Sequence, residues 1–410
     1  MKIVRGYKVE LKINKKQRTL LRKHAGAARF AWNWGLARRI EEYKTCGKSS
    51  NAIEQHRQLN ALKKTEFPWM YEVSKCAPQE ALRNLDYAFA NFFRRVKKGI
   101  TAKAKFPVSS FLNGSKKVGF PRFKSKKRGR GSFRLTGAIR VFHNRIKLPR
   151  IGFLRLAEQD YIPTCGVKIL SATLSERADR WFVSVQVAQE ISVSPATSDP
   201  IGVDLGVAKM ATCSDGRVFE NHRALLRSER KLKHLQRQLS RQKKESHSRE
   251  KTRRKIAKLH FRIANQRSDA ISKATSALVA KTKPPHQRPK TIVIEDLNVN
   301  GMLKNRKAVA NVGMYEFRRQ LEYKCTWYGS KLLVASRFYP SSKRCSHCGT
   351  IKEELPLDVR VFRCNNCSLL LDRDLNAAIN LKKLAGSSSE SENACGESVR
   401  PLIHLSGSSS

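Results

Sequence analysis

Two pairs of cysteines, Cys345-Ser-His-Cys348 and Cys364-Asn-Asn-Cys367, stand in the last quarter of the chain with fifteen residues between them. Each pair has the spacing at which one tight turn presents two thiolates to a single ion, and two facing turns supply the four ligands of tetrahedral Zn²⁺. A stretch as short as 345–367 has no room for a hydrophobic core, so the metal would fold it. With all four positions filled by protein the expected role is structural; the competing use of such pairs is redox exchange. His347, inside the first turn, is expected to face solvent or phosphate. Cys46, Cys76, Cys165, Cys213, Cys325 and Cys395 are scattered, which suits a reducing compartment better than a disulfide framework.

Charge is the second constraint. Of 410 residues, 83 are Lys or Arg and 33 are Asp or Glu, a formal net charge of +50. The cations run through nearly every segment except the last, so no single basic tail accounts for them. Such a chain repels itself unless it lies against a polyanion, and nucleic acid is the favoured partner. No amphipathic anchor, secretory signal or apolar run near the roughly 20 residues of a spanning helix is present. The expected location is cytoplasmic or nucleoid-associated, without membrane contact. The length allows two or three cores.

Apolar and charged residues alternate through Tyr7, Val9, Leu11 and Ile13, the period of a half-buried strand. From about Lys16 the period becomes helical, with Leu20, Leu21, Ala25, Ala28, Trp32 and Leu36 on one face, and helical patterns continue to about Lys98. Residues 99–132 are rich in Lys, Gly, Ser and Pro and read as a loop; its aromatics between cations suit base stacking, and a flexible basic linker is the plainer alternative. Strand runs flanking turns at His143-Asn144 and Ala178-Asp179 then suggest, with the first strand, a small β-barrel. The expected division is a barrel of 1–15 and 99–195 carrying a helical insertion at 16–98. An α/β domain follows over 196–344 and 368–385, interrupted by the zinc ribbon at 345–367, with a disordered tail at 386–410. Within it, a basic helical hairpin spans 222–285 and rests on nucleic acid; the alternative is a coiled coil for protein pairing.

Ile201-Gly-Val-Asp-Leu-Gly206 puts Asp204 at the end of a short apolar strand, with Gly202 and Gly206 leaving room for close approach. The next strand, the Ser214-Asp-Gly216 turn and a return strand read as the start of an RNase H-like sheet. Thr291-Ile-Val-Ile294 is a buried strand that ends in Glu295-Asp296. In Leu371-Asp-Arg-Asp-Leu-Asn-Ala-Ala378, Asp374 falls at a helix start, where a lone Asp is more often an N-cap. Three acids that each end a core element can converge, and oxygen ligands suit two Mg²⁺ or Mn²⁺ ions that promote in-line attack on phosphate. Their order and context are those of RuvC-type nucleases. Asp296 is expected to cap or pair, and Asp372 to support the site from behind.

Taken together, Gly-Val-Asp204-Leu-Gly, Ile-Glu295-Asp-Leu, the two cysteine pairs and Asp-Arg-Asp374-Leu-Asn resemble the TnpB family. So do Ser341-Ser-Lys-Arg-Cys-Ser-His-Cys-Gly349, Asn265-Gln-Arg-Ser-Asp269, the segment from Gly119 to Lys124 and Ala28-Arg-Phe-Ala-Trp-Asn-Trp34. The resemblance covers nearly all but the tail, and residues 106–117 look longer than the usual connection. It implies an RNA-guided DNA endonuclease of a transposable element, similar to the ancestors of type V CRISPR effectors. A guide RNA and a double-stranded DNA target would be its partners, with a short flanking motif read by the N-terminal domains. The metal acids would be Asp204, Glu295 and Asp374. Candidate nucleic-acid contacts are Arg122, Lys124, Arg227, Arg230, Lys231, Arg253, Arg254, Arg267, Lys343 and Arg344. The acids do not distinguish water from a DNA hydroxyl as nucleophile, so a strand-joining transposase is one rival. A binding protein that regulates transcription is another. The guide, the motif and the oligomeric state are not legible.

Overall fold

The alternation from Ile3 to Leu11 becomes β1 (Lys2–Lys12), and Asn14 then starts α1 (Lys15–Cys46) with a reciprocal cap: its side chain accepts from the Gln17 amide, and the Gln17 side chain accepts from the Asn14 amide. The computed structural model describes residues 1–97, 119–126, 131–297, 313–356 and 358–387, in two units, Met1–Ile191 and Ser192 onward. Most of the 99–132 loop, the 106–117 extension and the tail from 388 lie outside the described residues.

In the first unit α1 is followed by α2 (Ala52–Leu62) and α3 (Cys76–Lys97), then by β2 (Ser132–Leu135), β3 (Arg140–Val141), β4 (Arg145–Leu148), β5 (Gly152–Leu156), β6 (Val167–Arg177) and β7 (Arg180–Glu190). The strands form one antiparallel sheet in the order β2-β6-β7-β1-β5-β4-β3. β1 pairs with β7 from Lys2↔Glu190 to Leu11↔Trp181 and meets β5 at its far end, Lys12↔Arg155. Between the end strands β2 and β3 there is no hydrogen-bonded pairing among the described residues. Leu21, Trp32 and Leu36 of α1 share a core with Leu82 and Leu85 of α3 and with Phe133, Leu154 and Val185 of the sheet. The helices after β1 are therefore part of the same hydrophobic body as the strands.

The second unit contains β8 (Ile201–Asp204), β9 (Lys209–Cys213), β10 (Val218–Glu220), α4 (Ala224–Arg241), α5 (His247–Leu278), β11 (Thr291–Glu295), α6 (Met314–Tyr328), β12 (Lys331–Ala335), β13 (Val361–Arg363), β14 (Leu370–Asp372) and α7 (Arg373–Ser387). Its main sheet runs β10-β9-β8-β11-β12, with β8, β11 and β12 parallel and β9 and β10 antiparallel. Ile292 and Ile294 share a core with Ile271, Ala274 and Leu278 of α5 and Phe317 and Leu321 of α6. Val293 joins a separate cluster with Leu381 of α7. That arrangement is why this strand is apolar at every interior position. In the turn between α4 and α5, Arg249 donates to the Leu239 and Gln242 carbonyls at the end of α4, and Ser246 caps α5. α5 ends at Leu278, short of the 285 boundary expected for the hairpin: Leu278 and Val279 are both buried, and Ala280 turns the chain at φ 46°.

Candidate active site

β8 and β11 are parallel neighbours in the register Ile201↔Ile292, Gly202↔Val293, Val203↔Ile294. One step further along that register, Asp204 and Glu295 end their strands side by side, at the ordinary strand spacing of about 4.8 Å. α7 crosses β8 so closely that a Cβ on Gly202 would overlap the Ala378 carbonyl oxygen and the Lys382 amide. Asp374 lies one helical turn before Ala378, and its charge acts on Asp204. Burial, then repulsion from Glu295 and Asp374, pushes the Asp204 carboxyl up to about 8. Burial also raises Glu295, opposed by the Ser341 hydroxyl that donates to its Oε1.

Cations separate these acids from their sequence neighbours. Among the described residues no hydrogen-bond donor or ion-pair partner reaches the carboxylates of Asp204 and Asp374. Asp296 binds Arg337 at 2.6 Å and Arg318 at 2.7 Å, which hold it below the usual carboxylate range. Asp372 binds Lys209 at 3.0 Å, and its Oδ1 accepts from the Asp374 and Leu375 amides at 3.0 and 3.1 Å. Against the effect of burial, those bonds hold Asp372 low. Asp372 is thus the residue capping α7, which leaves the Asp374 side chain free of the capping role.

Cys345, Cys348, Cys364 and Cys367 bring their sulfurs within 4.8 Å of one another, with Cys345–Cys367 at 3.6 Å and Cys348–Cys364 at 3.5 Å. Ligands about 2.3 Å from a tetrahedral zinc stand about 3.8 Å apart, so the set fits that ion. The His347 and Asn366 amides each donate to the first sulfur of their own pair at 3.4 Å, the same turn twice over. Hydrogen bonds from Thr350 lower the Cys348 thiol to about 5. His347 is exposed and supplies no ligand. The three carboxylates do not close up to this extent, as mutually repelling anions would not.

Four residues to which the sequence reading gave no role of their own, two of them inside the quoted motifs, connect these parts. Asn376 accepts from the Ser346 amide at 2.9 Å and donates to the Arg344 carbonyl at 2.7 Å. Asn380 donates to the Arg344 and Ser341 carbonyls at 2.6 and 2.8 Å. With Ser341 on Glu295 and Lys209 on Asp372, the base of the cysteine turn is tied to two of the acid-bearing elements. The available signal was two asparagines four residues apart on the apolar face of a helix, where a buried amide needs partners.

The candidate nucleic-acid contacts differ in how free they are. Arg122, Arg227, Arg230, Lys231 and Arg344 are exposed. Arg253 and Arg254 are exposed but share Glu250, at 3.1 and 3.4 Å. Lys124 places its ammonium 3.7 Å over the Trp32 ring, and Lys343 folds back onto the Glu353 carbonyl at 2.6 Å. Arg267 is partly buried, with its Nε unpartnered and its basicity lowered by that burial. His222, Arg227, Lys231, Arg262 and Gln266 border a cleft of about 370 Å³ beside the start of α4.

Three family models match: "Helix-turn-helix domain" over residues 1–48, "Probable transposase" over 182–306 and "Cas12f1-like, TNB domain" over 315–381. The first of these segments is here a strand and one long helix. A protein of Streptomyces pristinaespiralis, named by inference an RNA-guided DNA endonuclease, is 34% identical across 97% of this chain and 92% of its own length. The chain belongs to the TnpB family. This TnpB protein is also 33% identical to InsQ of Escherichia coli K12, over 98% of the chain and 97% of InsQ. Among solved structures, a Cas12f1 in complex with sgRNA and target DNA covers 93% of the chain and 99% of its own, with TM-score 0.53 and 12% identity, a likeness of fold. Among the described residues no helix is long and apolar enough to cross a membrane.

Proposed function

We propose that this TnpB protein is an RNA-guided DNA endonuclease that hydrolyses phosphodiester bonds at Asp204, Glu295 and Asp374. The observation that carries the reading is the contrast among the acids: in a chain of net charge +50, Asp204 and Asp374 have no ion-pair partner among the described residues, and Asp204 feels only the more distant charge of Arg373, while their neighbours Asp296 and Asp372 are paired. An acid cluster left open amid so many cations suits a divalent metal. The names of the full-length relatives supply the guide RNA and the DNA substrate. The sheet order, with three parallel strands and an antiparallel pair beside Asp204, supports an RNase H-like reading of the second unit. The cysteine cluster is read as a structural zinc ribbon.

Two Mg²⁺ or Mn²⁺ ions bound there would supply the Lewis acidity that in-line attack of water on phosphate needs. Asp204, Glu295 and Asp374 would hold them, and Asp204 would have to give up its proton to do so. Ser341 orients Glu295, and Asp372 fixes the first turn of α7, which keeps Asp374 where its charge acts on Asp204. The exposed cations of α4 and α5 hold backbone phosphates, while base pairing with the guide reads sequence.

The test uses the purified protein with its copurifying RNA and labelled target DNA. Broken ends without joined product are expected, and Asp204→Ala should lower cutting about 10³-fold or more while target binding persists. Joined strands would favour the transposase reading that one family description carries. Unchanged cutting in Asp204→Ala would end the assignment.

A further inference from the structure

β3, β4 and β5 turn one face away from the core of the first unit, and that face has an unusual composition. Ile146, Leu148, Leu154 and Leu156 point inward and are buried, whereas Arg145, Lys147, Phe153 and Arg155 alternate outward and are exposed. The strand register arranges the outward residues in two rows. Lys12, Arg155 and Arg145 lie directly across three neighbouring strands, and Arg140, Lys147 and Phe153 across another three. Like charges opposite one another destabilise a sheet. Here three stand in one row, and among the described residues none of these five cations has a carboxylate partner; nearby Asp160 is taken up by His143 at 2.5 Å.

The aromatics on the face are also out of place for a solvated surface. Phe153 is 44% exposed and Phe142 is 37% exposed, with ring centroids 5.7 Å apart. Arg145 lies over both rings, 4.8 Å from the Phe153 centroid and 5.4 Å from Phe142, and Lys147 lies 5.4 Å from Phe153. Exposed rings and a guanidinium plane offer stacking surfaces to a base, and flanking cations match the spacing of a phosphodiester backbone. Stacking of this kind requires a base that is not already paired. A duplex could satisfy the cations but would leave the rings in water.

We propose that the outer face of β3–β5 is a binding platform for an unpaired stretch of RNA, with bases on Phe142, Phe153 and Arg145 and phosphates on Arg140, Lys147, Arg155 and Lys12. Unpaired RNA fits better than target DNA because loops and ends of a folded RNA keep their bases open, whereas target DNA is double-stranded until invaded. The proposal rests on the guide-RNA reading and adds a place for it; none of these seven residues is among the contacts the sequence motifs suggest. The rings are exposed, so replacing them leaves the core intact.

The experiment is done on the full chain in two parts. A uridine octamer carrying 4-thiouridine is photo-crosslinked and mapped by peptide mass spectrometry, and its affinity is measured for the wild type, Phe142→Ala/Phe153→Ala and Arg145→Gln/Lys147→Gln. Crosslinks within residues 140–155 are expected. The ring variant should bind about 10-fold or more weakly, and the cation variant should show a salt slope shallower by about 0.7 per lost contact. Equal competition by a duplex of the same length, or crosslinks only elsewhere with unchanged affinity in the variants, overturns the platform and leaves the guide-RNA reading standing. No RNA binding by the wild type overturns both.

Discussion

Whether Asp204 carries a charge at neutral pH is decided by its surroundings. An unfolded aspartate titrates near 3.9, and the folded site lifts this one to about 8. A carboxyl raised in this way contributes stability that is complete below about pH 4 and is lost as the pH rises through about 8. In chelator at pH 8, Asp204→Asn should therefore stabilise the protein, by about 1–3 kcal/mol once partial exposure is allowed for, with the gain fading toward pH 4. Thermal melts at the two pH values check this, and a gain of equal size at both would contradict it. A divalent cation must displace that proton, so Mg²⁺ affinity measured by calorimetry should climb up to tenfold between pH 6.5 and 7.5. At this scale Asp204 and Glu295 were legible because each closes an apolar run. Their sorting from Asp296 and Asp372 was expected from order and context, but the partners that enforce it, Arg318, Arg337 and Lys209, were not legible because they come from distant parts of the chain.

Among the elements, α7 matters most, since it bears Asp374, buries Leu381 against β11 and grips the cysteine turn through Asn376 and Asn380. Its seat is Gly202, where any side chain would strike the helix backbone. Gly202→Ala should cost about 1–3 kcal/mol in stability by denaturant titration, and cutting should fall further than folding because Asp374 is displaced. A variant that cuts normally at full stability would show that the helix is not held there. Gly202 was readable as room for close approach, but the partner, nearly 180 residues later in the chain, was not. β9 and β10 followed from their turn chemistry at Ser214-Asp-Gly216. β2 and β5 went unnoticed: β2 has four residues at the edge of a basic loop, and β5 begins at a glycine with φ 81° and alternates only through Leu154 and Leu156.

Across the whole molecule, the cysteine cluster links the other parts of the second unit. Segment 341–346 leads into the first cysteine pair while holding Glu295 through Ser341 and α7 through Arg344 and Ser346. Cys364→Ser should abolish bound zinc, measured by elemental analysis, and lower cutting while RNA binding through the first unit and the α4–α5 hairpin persists. Retained stoichiometric zinc would exclude this site as its holder. The net charge and the paired cysteines were plain from composition and spacing; that the cysteine turn braces the acids was not, because hydrogen bonds to backbone carbonyls leave no mark in a sequence.

The order of these parts along the chain governs when they become available. A ribosome releases Asp204 first, Glu295 about ninety residues later and Asp374 only after both cysteine turns have emerged. A nascent polypeptide accordingly carries the cations of α4 and α5 before the last of the three acids has been made, so on the proposed reading the basic helices are available to RNA before the acid site can be complete.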